Sequence, residues 1–203
     1  MQVIISLSND RAIKHAVGCK PAPIHFPKNQ CTQEKMIRDA TESDAQAIAD
    51  IYNHYIANTV VTFEEQAISQ SEVIGRMEKV TGSSLPWLVA EDEGVVIGYA
   101  YAGKWNLRSA YRHTVESTVY LSPSSVAKGW GTRLYQTLFD SLRAKSIHIV
   151  IGGITLPNPA SVALHEKFGM KQVARFPEVG FKFGRWLNVG YWQLVLDSKA
   201  EVG

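Results

Sequence analysis

The spacing of apolar residues after residue 35 predicts two helices in the first part of the chain. The first starts at Thr41, with Asp44 three residues later. Its apolar stripe at helical spacing consists of Ala45, Ile48, Ala49, Tyr52 and Ile56. The second starts at Ser69, where Glu72 completes a capping box that satisfies free backbone amides, and it runs to about Val80.

Shorter patterns predict strands around these helices. One short strand is expected near Met36–Arg38, and Trp87–Ala90 and Val95–Tyr101 flank the acidic turn Glu91–Gly94 as a hairpin. In Thr114–Leu121 the side chains alternate with a period of two, which is typical of a strand. Its two faces are Val115, Ser117, Val119 and Leu121 on one side, and Glu116, Thr118 and Tyr120 on the other.

The glycine-bearing stretch Lys128–Gly131 opens a third predicted helix, which ends near Lys145. Leucines recur in it every fourth residue, at positions 134, 138 and 142. A β-rich run at Ile147–Ile154 follows, and then a helix at Asn158–Phe168 that Gly169 closes. The last two predicted strands lie around Lys171–Phe176 and Val189–Leu196. This order predicts one α+β domain over residues 36–198.

The first 35 residues differ from the rest in pattern, charge and cysteine content. They lack a sustained apolar period, and Pro21, Pro23 and Pro27 interrupt them, so we expect a poorly ordered extension outside the domain. Met36 is an alternative native start. The extension holds five basic and two acidic residues, which leaves residues 36–203 with sixteen basic and seventeen acidic ones. Both cysteines, Cys19 and Cys31, also lie in it.

These properties narrow the function classes. No apolar run approaches the roughly 18 residues that a membrane span needs, so no membrane partner is expected. The main body is close to neutral and gives no reason to expect nucleic acid. Two cysteines that nothing requires to pair favour a reduced, cytoplasmic setting.

The sequence Lys128–Gly129–Trp130–Gly131–Thr132–Arg133 has the arrangement of an anion site. Amides in the first turn of a helix lack internal partners, the helix dipole adds partial positive charge, and glycine admits a phosphate to the backbone. Alone, this turn is equally compatible with an ordinary strand-to-helix connection. It lacks the ending of a Walker loop and the third glycine of the dinucleotide motif.

Its neighbours make the turn more specific. The order of strand, glycine turn, helix and strand, followed by Asn158-Pro159-Ala160-Ser161 and Leu164-His165-Glu166-Lys167-Phe168-Gly169, resembles the core of the GNAT acetyltransferases. The resemblance implies a GNAT fold, with a twisted mixed sheet of about seven strands and helices on both faces. It also implies acetyl-CoA as cosubstrate and no metal. The loop from Lys128 to Arg133 would hold the pyrophosphate, Val119, Tyr120 and Leu121 would pair with the pantetheine arm, and Asn158 with Ser161 would contact that arm from the other side.

Two further motifs are similar to the phosphinothricin acetyltransferase-like branch. They are Tyr111-Arg112-His113-Thr114-Val115-Glu116 and Gly180-Phe181-Lys182-Phe183-Gly184-Arg185-Trp186-Leu187. The resemblance implies acetylation of the α-amine of a small amino-acid analogue, such as phosphinothricin, methionine sulfone or methionine sulfoximine. It also implies a homodimer with a contact at Phe183–Trp186. The chain departs from the family at Val126, Ala127, His165 and Asn188, where other residues are common.

Acetyl transfer needs a neutral amine and a stabilised oxyanion. Glu116 is the candidate base, and its alternative is a structural carboxylate paired with Arg112 or His113. The backbone amide near Val119–Tyr120 is the candidate oxyanion donor. His165 could protonate the leaving thiolate or hold a water chain, or it could be a packed, hydrogen-bonded histidine.

The expected substrate wall comprises Trp105, Tyr111, Arg112, His113 and Thr114. The planar donors of Arg112 suit a carboxylate, although a surface ion pair is the alternative. Trp105, like the aromatics of the last motif, could equally belong to the core or to a subunit contact. The competing functions are acetylation of a protein N-terminus or a polyamine, and a coenzyme A sensor without catalysis.

Overall fold

The computed structural model describes residues 35–196. The helices are α1 (Ala45–Asn58), α2 (Gln70–Thr81), α3 (Trp130–Ala144) and α4 (Pro159–Lys167). The strands are β1 (Met36–Asp39), β2 (Trp87–Asp92), β3 (Val95–Lys104), β4 (Thr114–Leu121), β5 (Ile149–Leu156), β6 (Lys171–Lys182) and β7 (Arg185–Val195). Short 3₁₀ turns precede α1, β4 and α3. The predicted extension, residues 1–35, lies outside the described residues except for Lys35, and so do both cysteines.

Within the described part of the chain, the strands form one seven-stranded sheet in the order β1-β2-β3-β4-β5-β7-β6. Only β4 and β5 pair in parallel, and the other neighbours are antiparallel. Helices cover both faces of the sheet. The predicted α+β class and seven-stranded mixed sheet are confirmed.

Each face of the sheet has its own core, because alternate side chains of a strand point to opposite faces. On one face, Leu134, Leu138 and Leu142 of α3 pack against Val119 and other apolar side chains of the central strands. On the opposite face, α1 and α2 pack on an aromatic layer formed by Trp87, Tyr99, Tyr101 and Tyr120. The alternation predicted for β4 is therefore confirmed, with Val119 and Tyr120 in different cores.

Helix and turn signals lie close to their predicted places. The side chain of Ser69 accepts from the Glu72 amide at 3.2 Å, and the Glu72 carboxylate accepts from the Ser69 amide at 2.8 Å, so the capping box of α2 is present. The turn between β2 and β3 uses Glu93 and Gly94, both with positive φ. Local chemistry was sufficient for these elements because each signal acts within a few residues.

The last hairpin is longer than the sequence pattern predicts. We expect strands at Lys171–Phe176 and Val189–Leu196, but β6 extends to Lys182 and β7 begins at Arg185. Pro177 and Gly180 obscure the two-residue period, and the register shifts between Phe176 and Gly180. The pairing partner on β7, rather than intrinsic propensity, decides this segment.

The interior of α2 offers a test of the fold. A Cβ built on Gly75 meets nothing within 4 Å, so Gly75→Ala should raise the free energy of unfolding by about 1 kcal/mol through helix propensity alone. Urea unfolding measures the change. Gly98→Ala is the contrasting variant, because its Cβ would lie 2.9 Å from the carbonyl oxygen of Tyr120, and it should lower stability. A loss of stability in Gly75→Ala would contradict the packing of α2 described here.

Candidate active site

The central feature of the candidate site is a gap between β4 and β5. Their parallel pairing covers only Thr114 to Glu116 on β4 and Ile149 to Ile151 on β5. Both strands continue beyond the last pair, β4 to Leu121 and β5 to Leu156. Because each remains paired to its outer neighbour, β3 or β7, the sheet opens between them without losing its other ladders.

The open edge of β4 presents backbone groups to this gap. The amide of Ser122 donates to the carbonyl of Ile97 at 2.8 Å, so the even-numbered residues of β4 bond to β3. Hydrogen-bonding direction alternates along a strand, and the odd-numbered Val119 and Leu121 therefore direct their amides toward β5. The Leu121 carbonyl accepts from the Tyr55 hydroxyl at 2.6 Å. Of the two predicted oxyanion donors, the Val119 amide faces the gap, whereas the Tyr120 amide faces β3.

The N-terminus of α3 follows β4 after a short 3₁₀ turn. Gly129 is the N-cap residue with φ of +83°, a left-handed conformation that glycine adopts without strain. Since glycine has no side chain, it leaves the first-turn amides of α3 uncapped, and a Cβ there would meet nothing within 4 Å. This end of the helix has the geometry of an anion site.

The side chains of the predicted pyrophosphate loop differ in their surroundings. Trp130 is buried in the core, so only its backbone is available to a ligand. The guanidinium of Arg133 stacks over the Trp130 ring at 4.3 Å and donates to the Lys35 carbonyl at 3.1 Å. Lys128 is exposed, and Thr132 accepts from the Lys167 ammonium at 3.4 Å. The loop therefore has cationic groups at its rim and helix amides at its centre.

The start of α4 lies after the open end of β5. Asn158 is its N-cap residue, and its Oδ1 accepts from the Ser161 amide at 3.1 Å. Both residues are buried. The predicted Asn158–Ser161 motif therefore coincides with the start of α4, because asparagine is among the best N-cap residues.

Glu116 lies on β4 at the last parallel pair, opposite Ile151. Paired residues of neighbouring strands project to the same face, so the half-buried Glu116 shares a face with Ile151 and Tyr120. On this face a cleft of about 420 Å³ opens beside it. The cleft is lined by Trp105, Ile151, Val173, Ala174, Phe176, Tyr191 and Gln193.

A chain of hydrogen bonds crosses behind the gap on the other face. The hydroxyl groups of Ser117 and Tyr135 are 3.3 Å apart, and Tyr135 lies 3.2 Å from Nε2 of His165. Nδ1 of His165 donates to the Ser161 carbonyl at 2.6 Å. Because a carbonyl only accepts, Nδ1 carries the proton and Nε2 accepts from Tyr135.

His165 is fully buried, and burial lowers its pKa from 6.5 to about 4. At pH 7 only about one ring in a thousand is protonated. The ring also packs so closely on β5 that a Cβ on Gly152 would overlap its Nε2. With both nitrogens engaged, His165 has the properties of the packed histidine that the sequence left as the alternative to a general acid.

The predicted substrate wall is only partly assembled around the cleft. Trp105 lines the cleft and packs edge-on against Tyr191 at 5.6 Å. Tyr111 and Arg112 are exposed in and after the 3₁₀ turn before β4, and Arg112 donates to the Ser109 carbonyl at 3.4 Å. His113 lies 3.1 Å from the Ser146 carbonyl at the turn before β5. Thr114 is half-buried at the start of β4.

The sequence pattern did not point to the residues of β5, β6 and β7 that line the cleft. Ile151, Phe176 and Tyr191 belong to strands that were predicted as ordinary sheet elements. They meet in the cleft only because β7 inserts between β5 and β6. A two-residue alternation in β7 could indicate that Tyr191 and Gln193 share a face, but not which cleft they line.

Comparison with known proteins identifies the family to which this fold and site belong. Residues 37–189 match the acetyltransferase (GNAT) domain family. The chain belongs to the GNAT acetyltransferase family. Its predicted enzyme class, N-acetyltransferase, is confirmed. The GNAT chain is 45% identical over 157 residues to a phosphinothricin N-acetyltransferase from Streptomyces viridochromogenes, covering 77% of this chain and 85% of the relative.

Two more relatives agree with this assignment. The GNAT chain is 41% identical over 165 residues to the L-amino acid N-acyltransferase MnaT of Escherichia coli, covering 81% of this chain and 96% of that protein. The crystal structure of a phosphinothricin acetyltransferase from Sinorhizobium meliloti in complex with acetyl-CoA superposes with a TM-score of 0.79 at 37% identity. That similarity covers 83% of this chain and 92% of the solved one.

Residues 35–196 contain no group of three or more His, Cys, Asp or Glu side chains that could hold a metal ion. No helix in the same range is long and apolar enough to cross a membrane.

The lowered pKa of His165 predicts a pH dependence of stability. Its folded pKa of about 4 lies below the ordinary 6.5, so the unfolded chain binds the extra proton as the pH falls below about 6.5. This group alone should lower the free energy of unfolding by about 2 kcal/mol between pH 8 and pH 5.

Urea unfolding of the wild type and His165→Gln at both pH values tests this. The glutamine variant should be less stable at pH 8 but should lose about 2 kcal/mol less on acidification. An equal loss in both proteins would mean that His165 is not the titrating group.

Proposed function

We propose that this protein transfers the acetyl group of acetyl-CoA directly to the α-amine of a small amino-acid analogue, of the phosphinothricin, methionine sulfone or methionine sulfoximine type. The observation that carries the proposal is the position of Glu116, at the last pair of β4 and β5, between the gap and the apolar cleft. A donor entering through the gap and an amine in the cleft would meet at this carboxylate.

The residues around the gap fit acetyl-CoA. The uncapped first turn of α3 from Gly129, with Lys128 and Arg133 at its rim, suits a pyrophosphate. The open edge of β4 at Val119 and Leu121 can hydrogen-bond an extended amide-containing arm in place of the missing β5 partner. Two related solved proteins, from Salmonella typhimurium and Sinorhizobium meliloti, contain acetyl-CoA.

Two groups would then perform the chemistry. The carboxylate of Glu116, directly or through one water molecule, accepts the proton that the α-ammonium loses before attack. The amide of Val119 donates to the thioester carbonyl oxygen as the amine nitrogen attacks and negative charge develops there, which lowers the barrier by a few kcal/mol. The C–S bond then breaks, and coenzyme A leaves as a thiolate that takes up the second proton lost by the attacking nitrogen. We assign His165 a structural role, because it is neutral at neutral pH and bonded at both nitrogens.

The cleft favours an amino-acid side chain as the acceptor. Its lining is mostly apolar, with Gln193 and the Tyr191 hydroxyl as polar groups, which suits a methylene chain ending in an uncharged polar group. The exposed guanidinium of Arg112 is the proposed partner of the substrate carboxylate. A polyamine fits less well because none of the described residues that line the cleft carries a carboxylate side chain.

A second copy of the chain is the proposed partner of the β6–β7 hairpin. Four large apolar side chains at its tip, between residues 179 and 186, are more than half exposed, namely Val179, Phe181, Phe183 and Trp186. Exposed apolar patches of this kind mark interaction sites. We propose a cytoplasmic homodimer that uses this surface.

A panel of acceptors tests the proposed function. Thiol release from acetyl-CoA should be saturable with methionine sulfone, methionine sulfoximine or phosphinothricin. At least one of these should have a kcat/KM about tenfold or more above those of spermidine and a short peptide. Preference for spermidine or the peptide would favour the competing enzyme functions. Acetyl-CoA binding without release for any acceptor would favour a sensor.

Glu116→Gln tests the proposed base. The amide cannot accept a proton, so kcat should fall by about 100-fold or more. The affinity for acetyl-CoA should stay within about twofold, because the change leaves the gap and α3 intact. Calorimetric titration and steady-state kinetics measure the two quantities. Unchanged turnover at saturating substrate would remove Glu116 from the mechanism.

A further inference from the structure

Lys182 joins two separate parts of the molecule. It is the last residue of β6, at the tip of the β6–β7 hairpin, and its side chain is 1% exposed. Its ammonium donates to the carbonyl oxygens of Ile56 at 2.8 Å, Thr62 at 2.9 Å and Glu64 at 2.8 Å. These acceptors belong to the end of α1 and to the loop between α1 and α2, which we call the α1–α2 loop (residues 59–69).

These bonds use all the donors of the lysine. An ammonium group has three N–H donors, and each has a carbonyl partner here. Lys182 is therefore not available to bind a substrate carboxylate. Burial lowers its pKa, and the nearby carboxylates of Glu65 and Glu64 oppose that shift.

The α1–α2 loop is also tied to the helices on its other side. The Glu64 carboxylate accepts from both terminal nitrogens of Arg76, at 2.8 and 2.9 Å, and from the Tyr52 hydroxyl at 3.0 Å. Tyr52 lies 2.7 Å from the Thr62 hydroxyl and packs edge-on against Tyr120 of β4, with ring centroids 5.0 Å apart. The loop thus connects the hairpin to the strand that carries Glu116.

A second contact between the loop and the hairpin is independent of charge. The ring of Phe63 lies directly against the backbone of Gly180 on β6, where a Cβ would overlap the ring. Lys182 and Gly180 therefore hold neighbouring residues of the same loop. Both contacts reach across the face of the sheet on which Glu116 and the acceptor cleft lie.

We propose that Lys182 is a positioning residue for acceptor binding, which locks the β6–β7 hairpin to the α1–α2 loop and so fixes the hairpin, whose strands line the acceptor cleft. The proposal rests on the proposed function in placing the acceptor on this face. The lysine contacts neither substrate nor cofactor. It acts through the loop backbone, which its ammonium orders at three points.

Lys182→Met tests the proposal, because methionine keeps the length of the side chain and removes its donors. Steady-state kinetics with the best acceptor should give an acceptor KM raised by about tenfold or more, with the acetyl-CoA KM within about twofold. Hydrogen exchange of the full-length protein without substrates should become about tenfold faster in residues 59–69 and stay unchanged in α3. Lys145→Met, at an exposed lysine after α3, is the matched control and should match the wild type in both measurements.

Gly180→Ala provides a second route if Lys182→Met does not fold. The added methyl group displaces Phe63 without removing a charge. Gly180→Ala should therefore raise the acceptor KM, as Lys182→Met should, whereas Gly75→Ala should leave it unchanged. An unchanged acceptor KM in a variant whose loop exchanges faster would overturn the positioning role. An unchanged rate of hydrogen exchange in residues 59–69 of Lys182→Met would show that Lys182 does not hold the α1–α2 loop. Absence of acetylation by the wild type would instead reject the proposed function, while the exchange measurement would still test the lock.

Discussion

The separation of β4 from β5 after one short parallel ladder is the constraint on which the rest of the structure depends. Backbone groups at the open edge of β4 lose their strand partner, and a sheet interior tolerates such groups only when another partner supplies the hydrogen bonds. Both strands keep their outer ladders, so the gap is a stable feature of the fold. Every proposed function of this site, from binding an extended arm to stabilising an oxyanion, uses groups that this divergence exposes.

The two faces of the sheet carry different groups around the gap. On one face, α3 and α4 meet through Tyr135 and His165, which supports the gap from behind with a neutral hydrogen-bonded chain. The other face carries the aromatic layer, Glu116 and the apolar cleft. This division explains why the two predicted catalytic residues differ so much: Glu116 is half-buried beside a cleft, whereas His165 is fully buried with both nitrogens bonded.

The β6–β7 hairpin combines two contrasting properties. Its outer side chains are exposed and apolar, while Lys182 at its tip is buried and charged. A buried cation is costly unless its donors are satisfied, and three backbone carbonyls meet that requirement. If a second copy covers the apolar side chains, as proposed, then assembly and acceptor binding would share one structural element.

The sequence by itself determined the elements whose signals are local. The capping box at Ser69 and Glu72, the positive-φ turn at Glu93 and Gly94, the glycine start of α3 and the N-cap at Asn158 each act within three or four residues, and they lie where the pattern predicts them. The alternation in β4 likewise placed Glu116 on the same face as Tyr120, whereas its role as a base comes from the family resemblance and stays a prediction. Only the tertiary structure decided the length of the last hairpin, the cleft formed by Ile151, Phe176 and Tyr191, the lowered pKa of His165 and the partners of Lys182. These depend on which strands become neighbours, on burial and on contacts between residues more than one hundred positions apart, none of which a local pattern contains.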